Sequence, residues 1–80
     1  MPIDDLSECK KAVQWIQSVY ADVSRVVHIE RHNRHPRGCN VFVYKKNAYG
    51  IFLNKVLSNM PNKNSRQVCL SGKSYNLFHV

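Results

Sequence analysis

Leu6, Cys9, Val13, Ile16, Tyr20 and Val23 recur at three- and four-residue intervals, and Ala12, Trp15 and Val19 widen the same stripe. This spacing predicts an amphipathic helix with one buried side and Trp15 as its largest apolar anchor. Asp4 or Asp5 is placed to cap its first turn, with Glu8 three residues beyond Asp5, and these acids suit the positive end of the helix dipole. From Ser24 onward the period changes. Val26, Val27 and Ile29 are β-branched and alternate with His28, Glu30 and His32, which predicts a strand with Val27 and Ile29 inward. Pro36 and Gly38 mark a turn before Val41, Phe42, Val43 and Tyr44, so the two runs read as a hairpin with a long basic tip.

Beyond this tip, Tyr49, Phe52, Leu53, Val56, Leu57 and Met60 fit a helical stripe, with Asn47 as its cap and Asn59 and Pro61 as its end. Val68 and Leu70 then open a strand that turns at SGKS and returns as YNLFHV, with Leu77 or Phe78 inward. The SGKS run shares its residue types with a phosphate-binding loop, but Gln67 stands at the first glycine position and a strand follows, so it reads as a hairpin turn. The predicted order is α-β-β-α-β-β. The chain is expected to form a single α+β domain over residues 1–80, with two helices packed on one face of a four-stranded antiparallel sheet.

Length and composition support one compact core. Eighty residues leave no room for a second domain, and 44% hydrophobic residues are too many for a disordered tail. The acidic start MPIDDLSECKK and the shortness of every apolar run point away from a signal peptide or a membrane span. Cys9, Cys39 and Cys69 are an odd, widely spaced set, read as reduced thiols in a cytoplasmic setting, or in the host cytoplasm for a phage or viral protein.

Charge changes the picture most. The net charge is +7, yet residues 1–30 hold five acids and three bases, whereas residues 31–80 hold nine bases and no acid. Such a segment attracts polyanions, of which nucleic acid is the commonest. Arg25, Arg31, Arg34, His35, Arg37, Lys45, Lys46 and Lys73 are the candidate phosphate contacts, extended by Lys63 and Arg66. Phe42, Tyr44 or Tyr75 would stack on unpaired bases where they face outward. No helix carries a dense basic stripe, which favours recognition by a sheet or hairpin over a helix-turn-helix.

The segment HIERHNRHPRGC gathers His28, His32, His35 and Cys39, but it lacks the paired spacing of a zinc site, and no metal or other cofactor is expected. Its histidines suggest polyanion binding that tightens below about pH 6.5. No set of acid, base and nucleophile stands out, so the expected function is a non-catalytic nucleic-acid-binding or regulatory protein. A second reading is an inhibitor or regulator, of the kind phage and viral genomes encode, that docks on an acidic protein. A third is a metal-independent ribonuclease using His28, His32 and Tyr44.

Overall fold

The computed structural model describes residues 1–57 and 60–78 of the chain. Its first element is the expected helix, α1 (Leu6–Val19), whose stripe buries Cys9, Ala12, Val13 and Ile16. Asp5 is the cap: its side chain accepts a hydrogen bond of 3.0 Å from the Glu8 amide. Five strands follow, β1 (Val27–Glu30), β2 (Gly38–Tyr44), β3 (Asn47–Asn54), β4 (Ser65–Ser71) and β5 (Ser74–Phe78). They form one sheet in the order β1-β3-β2-β4-β5.

This architecture corrects the predicted one. Among the described residues there is one helix, and the sheet has five strands and is mixed, because β1 runs parallel to β3 while the other pairs are antiparallel. The stretch read as a second helix is β3. Its apolar positions satisfy both periods, since Phe52 and Leu53 fit a helical stripe while Ile51 and Leu53 alternate with Phe52. Tertiary context decides between them. Ile51 and Leu53 are fully buried against α1's side of the sheet, and Val41 and Cys39 of β2 lie beside them in register. Asn59, assigned to the end of that helix, lies outside the described residues.

The first hairpin is corrected with it. Residues 31–37 do not turn β1 back onto β2, because β3 occupies the place between them. They form a crossing segment that carries the chain over the end of β3. Asn54 lies at that end, in register with Glu30 of β1 on one side and Gly38 of β2 on the other. Its buried amide Nδ2 donates to the carbonyls of His32, His35 and Pro36, and its Oδ1 accepts from the His32 amide. Asn40 Nδ2 also donates to the Pro36 carbonyl, and Gln67 Nε2 donates to that of Arg37. Three sheet amides thus supply the backbone partners that a segment outside the ladder lacks.

The core lies between α1 and one face of the sheet, built from Ile3, Cys9, Ala12, Val13, Ile16, Val23, Cys39, Val41, Val43, Ile51, Leu53 and Val68. Trp15 is only half-buried at its rim, 5.6 Å from the Tyr75 ring, so the central anchor of the helix is Ile16 rather than Trp15. Residues 1–3 close the gap between β4 and the start of β2, with the Ile3 amide donating to Val68 and the Ile3 carbonyl accepting from Cys39.

The cysteines also differ from expectation. Cys9 and Cys39 form a buried disulfide that fastens α1 to β2 across 30 residues, with Cα atoms 5.5 Å apart. Only Cys69 is a free thiol, and burial pushes it above its ordinary value of 9.0 against the opposing pull of the amino-terminal ammonium. The reduced-thiol ground for a cytoplasmic setting therefore fails at Cys9 and Cys39. Among the described residues no helix is long and apolar enough to cross a membrane.

Candidate nucleic-acid interface

Alternation along the strands divides the sheet into a face under α1 and a face away from it. On β2, Cys39, Val41 and Val43 belong to the core, so Asn40, Phe42 and Tyr44 point to the other side. Register places Phe52 and Asn54 of β3 and His28 and Glu30 of β1 on that same face. The crossing segment covers its middle, and His35 is laid over Phe42 with ring centroids 5.9 Å apart and planes 18° from parallel. The His32 ring lies 4.3 Å from that of His35, and His32 Nδ1 accepts from the Arg34 amide. Glu30 Oε1 approaches His35 Nδ1 at 3.6 Å, and both atoms are buried without a hydrogen-bond partner. Glu30 thus lies against the edge of the same His35 ring that covers Phe42.

Exposed on this face are His28 of β1, Phe78 of β5 and the end of the sheet at the β2–β3 turn. This turn has two central residues, Lys45 and Lys46, with φ of 49° and 69°. A tight hairpin with both centres left-handed is the geometry that matches strand twist, but Asn-Gly is the pair that adopts it readily. Lysine does so only at a cost of roughly 1–2 kcal/mol per residue.

Just beyond the turn the register slips: Phe42 pairs with Gly50 and Val43 with Ala48, which leaves Tyr49 as the extra residue of a β-bulge. The bulge turns Tyr49 outward, 63% exposed, and its ring centroid stands 6.4 Å from that of Tyr44, which is 46% exposed. The rings are tilted by 50°, and Lys45 Nζ lies 5.5 Å from the Tyr44 centroid. The His28 and Phe52 rings, 5.5 Å apart, lie toward β1 on the same face.

The candidate residues therefore separate into groups. Arg31, Arg34, His35 and Arg37 are brought together on the crossing segment, where Arg31 and Arg34 are exposed and His35 and Arg37 half-buried. Lys63 joins their neighbourhood through Asn62, whose amide donates to the Arg34 carbonyl. Lys45 and Lys46 stand at the β2–β3 turn. Arg25 is exposed ahead of β1, and Lys73 is exposed at the β4–β5 turn, apart from both groups. Arg66 is half-buried, with Nη1 donating to the carbonyls of Lys63 and Ser65.

Of the aromatics expected to stack, only Tyr44 is freely exposed. Phe42 lies under His35, and Tyr75 faces α1 and packs on Trp15. Tyr49, Phe52 and His28 were missing from the stacking set, the first two because they were assigned to a helix. The Lys45–Lys46 pair lacks the Asn-Gly signature of a two-residue turn, so the sequence does not mark the bulge that exposes Tyr49.

His28, His32 and Tyr44 rest on three different neighbours, the rings of Phe52, His35 and Tyr49. Cys39 is committed to its disulfide on the opposite face, and among the described residues no three His, Cys, Asp or Glu side chains are grouped to hold a metal. No family model, curated protein or solved structure matches the chain.

Proposed function

We propose that this chain is a non-catalytic nucleic-acid-binding or regulatory protein that binds through the face of the sheet away from α1. The observation that carries the proposal is the exposed aromatic pair Tyr44 and Tyr49 beside two outward lysines, Lys45 and Lys46, on a face whose other covering is an arginine-bearing segment. Aromatic surface offers contact to bases, and cations offer contact to phosphates, so the two together fit a nucleic acid better than they fit a small anion. The acid-free composition of residues 31–80 adds long-range attraction for the same ligand.

Binding across a salt series tests the proposal. Affinity should fall steeply with salt, and Lys45→Glu with Lys46→Glu should weaken it while leaving the fold intact, since both side chains are exposed. Absence of binding at low salt would refute it.

A second reading has its own support. At the free edge of the sheet, Val26 and Ile29 are 56% and 57% exposed and flanked by Arg25 and Arg31, which suits an acidic protein segment with apolar side chains. Stoichiometric capture of one acidic protein, lost on Ile29→Asp, would favour that reading over nucleic acid.

A further inference from the structure

Three features of the β2–β3 turn have no structural necessity. Two lysines occupy left-handed positions that Asn-Gly would fill without strain, a bulge ejects Tyr49 from the ladder, and two tyrosines expose their rings side by side where polar residues would cover the strand ends as well. Strained backbone of this kind persists where surrounding structure supports it, and it clusters at binding sites. All three features act at one place. The bulge sets Tyr49 next to Tyr44, and the left-handed turn places the Lys45 ammonium over the Tyr44 ring with Lys46 exposed at the next position.

We propose that this turn is a stacking clamp for an unpaired nucleic-acid strand, with bases on Tyr44 and Tyr49 and the adjoining phosphates on Lys45 and Lys46. The inference rests on the nucleic-acid reading above and narrows its ligand from nucleic acid in general to strands with free bases. A duplex keeps its base faces stacked inside the helix and offers the tyrosines nothing to cover, whereas every unpaired base has a face to give. The tilt of 50° between the rings means they do not stack on one another, so each presents a face of its own. The Lys45 ammonium that lies near the Tyr44 ring is held there weakly by cation–π attraction at an exposed site, and it is released to a phosphate when a base arrives.

The crossing segment sets the other limit of the site. Arg31 and Arg34 are exposed on it, and the half-buried Phe52 with the His28 ring lies on the same face as the tyrosines. A strand leaving the clamp toward β1 therefore meets further aromatic surface and then guanidinium groups, which suit phosphate oxygens.

Fluorescence anisotropy on the full chain tests this with three labelled probes of ~12 nucleotides, a single-stranded DNA, the RNA of the same sequence and the DNA duplex, in about 50 to 200 mM salt. The expected result is binding of at least one single strand roughly tenfold or more tighter than the duplex. The DNA and RNA arms identify which sugar the site prefers. Tyr44→Leu and Tyr49→Leu should each weaken single-strand binding about tenfold without changing the salt slope, whereas Tyr44→Phe and Tyr49→Phe keep it, because the ring does the stacking. Lys45→Asn with Lys46→Gly should flatten the slope by about 1.4, for two phosphate contacts at ~0.7 each, while raising the melting temperature.

Duplex bound as tightly as the single strands, or leucine variants that bind single strands at the wild-type level, would overturn the clamp and leave the broader reading in place. No binding of any probe at low salt overturns both.

Discussion

Gly38 shows how closely single positions are specified. Its φ is +80°, and a Cβ there would stand 2.6 Å from the Ile3 carbonyl oxygen, a backbone atom that has no room to retreat because it accepts from Cys39. Gly72 at the β4–β5 turn has a φ of +61° but open space around it. The pair separates conformational strain from collision. Gly72→Ala should cost about 1 kcal/mol in urea unfolding, and Gly38→Ala about 3 kcal/mol or more, since the second adds a clash to the same backbone penalty. Equal costs at the two sites would contradict the close approach of residues 1–3 to β2.

At this scale the sequence was partly legible. Asp5, placed three residues before Glu8, announces its cap, whereas nothing in the identity of Asn54 announces that it braces a segment some twenty residues away.

At the scale of elements, legibility followed the uniqueness of the period. The stripe of α1 has one solution, and so does the short Val68–Leu70 alternation that led to β4 and its turn into β5. Residues 47–54 have two. Their helical spacing is genuine, but β2 needs partners on both sides, and β3 supplies one of them through a two-residue turn that lysines do not advertise. Once β3 is inserted, β1 is displaced to the edge and residues 31–37 become a crossing segment instead of a hairpin tip.

The disulfide was illegible for a similar reason, since Cys9 and Cys39 meet only when α1 lies across β2. Closing a loop of this length stabilises the fold by about 3–4 kcal/mol in the chain-entropy description. Replacing both with alanine should therefore lower the unfolding free energy by roughly that amount, read as an earlier urea midpoint. An unchanged midpoint would show that the link contributes nothing to holding α1 on the sheet.

For the whole molecule, charge gave the region and the fold gave the surface. The acid-free segment 31–80 identifies where cations gather, but six of the chosen basic residues lie on two separate parts of one face, and Lys73 and Arg25 lie apart from them. The aromatic half of the site became visible only when Tyr49 left the helix assigned to it and took its place beside Tyr44.

The face opposite α1 is the surface on which a bound strand should register, and amide chemical-shift mapping with a single-stranded oligonucleotide measures this residue by residue. The largest changes are expected at Tyr44, Lys45, Lys46, Tyr49 and Phe52, with smaller ones at His28, Arg31 and Arg34, and none on the exposed side of α1. Changes centred on α1 or on the Lys73 turn, or no changes at any ratio of strand to protein, would contradict a nucleic-acid interface on this face.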